Sequence, residues 1–561
     1  MLATQKNTWL IDSLFLLLSI GIFYFILLGG HPLFVPDEGR YSEIAREMIS
    51  SHDFITPRLN GVAFLDKPIL YYWLQASAIY LFGLNEWALR FWPSILGIFG
   101  CLAAYLTGRK LFNRRTGLLT AALLATSPIY YASSHYANLD LEVAVLVSCA
   151  LMSLVNGLHS ESLRARSKWY WSAWIFCSLA FLTKGLIGIV FPMMVTGLWI
   201  ISTWRWRVMK EMHLILGPIV FLVITMPWYY LVQKHNPEFF HYFFVTQQFS
   251  RFLSKTDFNN RVPVWFYLPI IFAGFLPWAV FAVQACIRAI RKSTRSLKKQ
   301  TPILFLLLWF FAILIFFSIP TSKTIGYIIP TLPPLALLTA HYLDHLWERS
   351  ARSLTIGMVI LLPICWIGLP ILTFAEWRSH MPITTWLLMI TIMYLMVSVI
   401  LLWFYQRKRP VYYSIFTLIA SSIVFLLLFA GNAEKINKNS VKPMALDMQQ
   451  TLKPTDEVVT YFSFYQDLML YLQRRITVVA DWNSPNIASS DNWVRELWSG
   501  MIFQDTHEWL ISEKTFWQRW NSAKKIIVVI DEKRFAQFTN HIHKKFYHKK
   551  QYNDVIVVSN H

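Results

Sequence analysis

A run of charged residues, Asp37, Glu38 and Arg40 with Tyr41 beside them, follows the first long apolar segment of the chain, and Asp66 and Lys67 come shortly after. Asp140, Lys184, Lys323 and Tyr327 stand at the edges of later apolar segments. Together these residue types suit one chemistry. A cation recognises a phosphate electrostatically and offsets its charge as it departs. A carboxylate orients or deprotonates a nucleophile. Aromatics at bilayer depth, such as Tyr71, Tyr72 and Trp73, can shelter an isoprenoid tail. The set points to a lipid-linked phosphate met at a membrane surface.

Each residue also has a plainer reading. Asp37 and Asp140 could cap the helices that follow them. Asp66-Lys67-Pro68 could be a solvated turn, Lys184 and Lys323 could snorkel at loop ends, and Tyr327 could belong to an interfacial aromatic belt. On residue type alone these readings stand level with the functional ones for Asp37, Asp66, Asp140 and Tyr327, while Lys184 leans towards function and Lys323 towards the plainer reading. His241 and the Phe residues beside it read as packing.

The positioning elements follow from periodicity and hydropathy. From Pro36 to Ile49, Tyr41, Ile44, Ala45, Met48 and Ile49 share one helical face, while Arg40, Glu43 and Glu47 share another. This predicts a short helix in the membrane interface, with Asp37 near its positive end. Over the whole chain, 55% hydrophobic residues, 16% aromatic residues and a mean hydropathy of +0.42 predict a polytopic membrane protein. Apolar runs start near Trp9, Trp87, Gly117, Leu141, Trp169, Gly185, Met212, Pro263, Pro302, Ile325, Leu354, Thr384 and Val411, about thirteen transmembrane helices in all.

The basic clusters fall in alternate loops: Arg109 to Arg115, Arg164 to Lys168, Arg205 to Lys210, Arg288 to Lys299, Arg349 with Arg352, and Arg407 to Arg409. Cytoplasmic loops collect such residues, so all six can share the cytoplasmic side. That places Leu33 to Trp87, Ser134 to Asp140, the turn at Lys184, Val232 to Val262, Pro320 to Thr324 and the tail on the opposite face. The same topology accounts for most of the +20 net charge without nucleic acid. Cys101, Cys149, Cys177, Cys286 and Cys365 all lie in predicted spans, so neither a disulfide framework nor a Cys-based metal site is expected. The first apolar segment lacks a small-residue cleavage site and reads as a retained span.

We divide the chain into a transmembrane domain, 1–431, whose first periplasmic loop, 30–86, carries interfacial helices, and a periplasmic α/β domain, 432–561. In the tail, β-rich runs at Glu457 to Phe462, Ile476 to Ala480, Ile526 to Ile530 and Asp554 to Val558 alternate with helical patterns at Gln466 to Gln473 and Phe516 to Ala523. The tail carries no phosphate-binding Gly-rich loop, and its expected role is to cap the outer mouth of the membrane domain.

Several motifs in a fixed order carry a resemblance: PDEGRYSEIAREM (Pro36 to Met48), LDKPILYYW (Leu65 to Trp73), YANLD (Tyr136 to Asp140), FLTKG (Phe181 to Gly185), HYFF with QFSRF (His241 to Phe252), WFYLPIIFAGFLPW (Trp265 to Trp278) and SKTIGYIIPTLPPLALLTAHY (Ser322 to Tyr342). With them the chain resembles the GT-C glycosyltransferases that use polyprenyl-phosphate sugars, above all the bacterial lipid A aminoarabinose transferase family, glycosyltransferase family 83. That family is related to the protein O-mannosyltransferases. The resemblance implies an inner-membrane enzyme acting at the periplasmic face. It would move a sugar, such as aminoarabinose, from undecaprenyl phosphate to lipid A or a related envelope glycolipid, with inversion. Its partners would be the lipid-linked donor, the envelope acceptor and membrane lipids. Protein or another envelope glycan is the alternative acceptor. A lipid-linked substrate transporter is a further alternative, although it would hold charges inside its spans.

The resemblance makes Asp37 the required carboxylate of the first loop and Asp140 the second acidic position. It assigns Lys67 to the carrier phosphate, aided by Arg40, Lys184 and Tyr327, with Glu38, Tyr41 and Asp66 around the substrate. The family usually carries Glu where Asp66 stands and His where Gln248 stands, a pair associated with a divalent metal. Gln is a poor zinc ligand beside His, which argues against a metal cofactor and leaves Asp66 as the one candidate ligand. The same change leaves room for a related aminosugar or a hexose.

Overall fold

The computed structural model describes residues 8–250, 262–295, 301–368, 371, 385–437, 439–488, 490, 492–542 and 546–561. Arg251 and Phe252 of the QFSRF motif, residues 296–299 of the densest basic loop and the side chain of Gln248 lie outside the described residues. The chain forms two compact units. One comprises Met1–Gly30, Arg90–Met226 and Val262–Ile436; the other comprises His31–Leu89, Pro227–Arg261 and Asn437–His561.

Among the described residues, seven helices are long and apolar enough to cross a membrane, and an eighth span arises if a pair bent by 116°, Val264–Gly274 with Ala279–Ser293, counts as one. Ile187–Thr203 and Pro302–Ser318 are shorter apolar helices. Each of the thirteen expected starts falls in or beside a helical segment. Proline breaks several of them. The run beginning at Gly117 divides into Arg114–Ala125 and Pro128–Ser134. Pro128 has no N–H to give and pushes Ser127 into extended geometry, φ −80° and ψ 129°. The run beginning at Ile325 starts as a 3₁₀ helix, Ile325–Thr331, that contains Pro330 and continues as Leu332–Leu346.

The first span carries a buried charge that its hydropathy conceals. Asp12 is 4% exposed and accepts hydrogen bonds from Tyr105 at 2.7 Å, from Arg109 at 3.1 Å and from two nitrogens of Arg114 at 2.8 Å each. A buried carboxylate persists only when paired in this way.

In the second unit, the first loop folds as a helix, Asp37–Ser51, a two-residue hairpin of β1 (Arg58–Leu59) and β2 (Val62–Ala63), and a helix, Leu70–Phe82. The hairpin is tied to the first helix, since the Gly61 N–H meets both carboxylate oxygens of Glu47 at 2.9 Å. The tail is a six-stranded mixed sheet of β3 (Glu457–Tyr461), β4 (Thr477–Val479), β5 (Leu510–Ile511), β6 (Ile526–Asp531), β7 (Tyr547–Tyr552) and β8 (Val555–Ser559), in the order β5-β4-β3-β6-β8-β7. The first four strands in that order are parallel, and β8 and β7 add antiparallel. Val459, Tyr461, Val528 and Ile530 pack with Phe516 and Phe538 in its core. Four strands match the expected runs. β5 and β7 are additions, along with the helices Lys442–Thr451, Trp493–Gly500 and Glu532–Asn540.

Candidate active site

The first cluster is built on the helix Asp37–Ser51. Pro36 occupies its N-cap without a side-chain hydrogen bond, so Asp37 is the first helical residue and not the cap. Its carboxylate, 36% exposed, lies 3.6 Å from Arg40, and Arg40 pairs more closely with Glu496 at 2.8 Å. Burial works against the Arg40 charge, but Glu496, Tyr41, Asp37 and Asp66 together outweigh it and hold the guanidinium above its ordinary pKa. Glu38 is fully buried and accepts the Phe34 N–H at 2.7 Å, which shapes the loop ahead of the helix. Tyr41, 6% exposed, packs with Tyr71 and Tyr72 at ring separations of 5.8 and 6.2 Å.

Asp66 is more than a solvated turn. Its Oδ1 accepts from the Tyr242 hydroxyl and from the Gln247 amide at 3.0 Å, and Gln247 also donates to the Tyr242 oxygen at 2.8 Å. The Lys67 ammonium reaches the Asp66 carbonyl at 3.3 Å. The Tyr72 hydroxyl is buried and makes no hydrogen bond among the described residues, and its ring lies within the electrostatic reach of Asp66 and Arg40.

The second cluster belongs to the other unit. Asp140 sits in the first turn of Leu139–Leu158, where Asn138 is the cap and accepts the Asp140 N–H at 2.9 Å. Lys184 ends the helix Leu163–Lys184, which stops at Gly185 with φ 78°. The two side chains form an ion pair, 17% and 12% exposed. The Lys184 ammonium also lies 4.3 Å from the Tyr327 ring centre, a cation–π contact. Gly326 leaves room for the carboxylate, since a Cβ there would come within 2.0 Å of Asp140 Oδ2. One register along, Glu142, 1% exposed, accepts the Thr183 hydroxyl at 2.9 Å. Lys323 is buried against the carbonyls of Pro320 and Val262, and burial lowers its pKa. It ties its loop down.

Asp37, Arg40, Tyr41, Asp66 and Lys67 therefore belong to one unit, and in the other Asp140 and Tyr327 each contact Lys184. Each cluster sets a cation beside a carboxylate, which suits an anionic group that arrives and leaves.

The dolichyl-phosphate-mannose-protein mannosyltransferase family matches residues 13–243. The undecaprenyl phosphate-alpha-4-amino-4-deoxy-L-arabinose arabinosyl transferase of Pseudomonas paraeruginosa is 32% identical over 365 residues, 64% of each chain. A Proteus mirabilis protein of the same description is 34% identical over 63% of this chain and 62% of its own length. The aligned region thus spans less than two thirds of these relatives. The structural likeness runs further. The crystal structure of ArnT from Cupriavidus metallidurans bound to undecaprenyl phosphate covers 99% of this chain and 98% of its own, with a TM-score of 0.85 and 26% identity. The chain shares the GT-C fold of that ArnT.

Within this ArnT-like fold, sequence reasoning missed Tyr242, Gln247, Glu496 and Glu142. Glu142 carried a signal, an acid inside an apolar run. The others are partners brought in from distant segments. The donor set around Asp66 does not fit a metal. Tyr242 and Gln247 both donate hydrogen bonds to the Asp66 Oδ1, and among the described residues no imidazole nitrogen or thiolate joins it.

Proposed function

We propose that this ArnT-like chain is an inverting glycosyltransferase of the bacterial inner membrane. It moves a sugar from a polyprenyl phosphate donor to lipid A or a related envelope glycolipid at the periplasmic face. One observation carries the reading: the near end-to-end likeness to an ArnT captured with undecaprenyl phosphate. The acceptor oxygen attacks the anomeric carbon, the bond from that carbon to the phosphate oxygen breaks, and polyprenyl phosphate leaves. Lys67 with Arg40 in one cluster, and Lys184 in the other, can each offset the charge that grows on a departing phosphate. Tyr327 holds Lys184 in place. Asp37 takes the proton when the acceptor is a hydroxyl; an acceptor that is already an anionic phosphate needs mainly positioning and charge balance. Asp140 restrains the Lys184 ammonium until the phosphate arrives.

A second reading, O-glycosylation of protein from the same kind of donor, is supported by the mannosyltransferase family match. Mass spectrometry of lipid A and of envelope glycoproteins, from cells with and without the gene, separates the two. A pentosamine or hexosamine added to lipid A supports the first reading; unchanged lipid A with lost protein glycans supports the second.

A further inference from the structure

The first unit holds a groove of about 1070 Å³ at the far end of the spans from Asp140 and Lys184. Its volume lies at the top of the range of roughly 300–1,000 Å³ usual for small-molecule sites. The walls come from the spans Thr8–Phe25, Arg114–Ala125 and Val411–Gly431, and they are apolar where Phe15, Leu16, Ala122 and Phe416 line them. Phe15 and Phe416 are 64% and 57% exposed, so the groove opens sideways to the bilayer.

The mouth is charged and anchored. Arg114 gives Nε and Nη2 to Asp12 at 2.8 Å each, which fixes the plane of its guanidinium while the side chain stays 57% exposed. Arg115 lies 3.5 Å from Asp344 and 5.0 Å from the Trp347 ring centre, and it is 46% exposed. Three guanidiniums, those of Arg109, Arg114 and Arg115, face two carboxylates, Asp12 and Asp344, leaving one positive charge beside His345. These arginines form the first basic cluster, whose loop the charge pattern assigns to the cytoplasm.

We propose that this groove binds an anionic glycerophospholipid of the cytoplasmic leaflet, its phosphate at Arg114 and Arg115 and its acyl chains along Phe15, Ser19 and Phe416. Charge complementarity selects the headgroup and the apolar lateral opening admits the chains. Basic recesses between spans on the cytoplasmic side recognise anionic lipid in this way. The site is separate from the proposed sugar transfer and stands without it.

Native mass spectrometry of the purified full-length protein tests the proposal, with palmitoyl-oleoyl phosphatidylglycerol, palmitoyl-oleoyl phosphatidylethanolamine and undecaprenyl phosphate offered at equal concentration. Wild type is expected to retain phosphatidylglycerol over phosphatidylethanolamine, by roughly fivefold per guanidinium engaged. R114Q/R115Q should lose that preference. Ser19→Trp leaves the ion pairs intact and should lose retention by filling the groove, so it decides the matter if the arginine variant fails to fold. Equal retention of the two phospholipids by wild type overturns the proposal, as does unchanged preference in a folded R114Q/R115Q or in Ser19→Trp. Undecaprenyl phosphate retained in place of phosphatidylglycerol, and lost in these variants, overturns it in favour of a carrier-lipid site.

Discussion

Lys184 lies 4.3 Å from the centre of the Tyr327 ring while its ammonium is paired with Asp140. Two attractions of different character hold one cation. The ring fixes where the ammonium sits, and the carboxylate can yield to an incoming phosphate. Lys184→Met is therefore expected to lower kcat by about 10²–10³, the usual cost of removing one group that stabilises transition-state charge. Lys184→Arg should recover part of it. Single-turnover transfer from a synthetic polyprenyl-phosphate sugar in liposomes measures both.

Gly326 faces the Asp140 carboxylate at a distance that admits no Cβ. Gly326→Ala should rotate the carboxylate off Lys184. Transfer is expected to fall at least tenfold, and because the new methyl would also meet the Asp140 Cβ at 2.7 Å, which no side-chain rotation moves, the unfolding temperature in detergent should fall too. An unaffected rate would show that the Asp140 orientation is irrelevant to turnover.

Asp37→Asn keeps the size and the helix start but removes the base. If the acceptor is a hydroxyl, transfer should drop by about 10²–10⁴ with insertion and folding preserved. The ion pair lost with it, half-open at 3.6 Å, contributes at most about 1 kcal/mol. Full activity of the Asn variant would remove Asp37 from the mechanism.

The Arg40–Glu496 pair joins the first loop to the tail within one unit. The side chains are 14% and 21% exposed, so removing one partner should cost less than the roughly 3–5 kcal/mol of a fully buried pair and more than the roughly 1 kcal/mol of an exposed one. Arg40→Gln and Glu496→Gln should each lower the unfolding temperature, and the double variant should fall by less than their sum. Additive losses in the thermal cycle would mean that the pair carries no coupling.

Asp467 is fully buried beneath the first-loop helix and accepts the Ser440 hydroxyl at 2.8 Å and the Val441 N–H at 3.0 Å. Burial, only partly offset by these bonds, raises its pKa to about 6 from 3.8. The folded state thus binds the proton more tightly than the unfolded state. The stability this gives is complete below about pH 4 and is lost as pH rises through 6, on the order of 3 kcal/mol in all. Asp467→Asn should gain stability relative to wild type between pH 4 and 7, and a pH-independent difference would contradict the assignment.

How far was this legible in the sequence? The first-loop helix was plain from a 3.6-residue repeat, and observed Asp37–Ser51 differs from the expected run only at its ends. The starts of the spans were legible because hydropathy integrates over twenty residues; their breaks at Ser127 and Pro330 were not, because one proline scarcely changes that average. In the tail, β5 has two residues and β7 reads Tyr-His-Lys-Lys-Gln-Tyr, too short and too polar to stand out from loop. The site was legible as a list of residue types but not as pairings. Asp66 meets Tyr242 and Gln247 from 176 and 181 positions away, and no local pattern carries that information. The departure from the family pattern singles out Gln248, whereas its neighbour Gln247 makes the described contact.

Asp12 has a consequence for how the chain is made. Its helix leaves the ribosome roughly a hundred residues before Tyr105, Arg109 and Arg114, the groups that neutralise it. A carboxylate costs about 2.5–3.5 kcal/mol at the centre of a spanning helix and less towards an end, where Asp12 stands in Thr8–Phe25. The first helix therefore enters the bilayer under penalty and is secured only when the next long apolar helix and its basic loop have been synthesised. Biogenesis is thus ordered by an acid and its late-arriving bases, and Asp12→Leu would let the first helix settle without waiting for them.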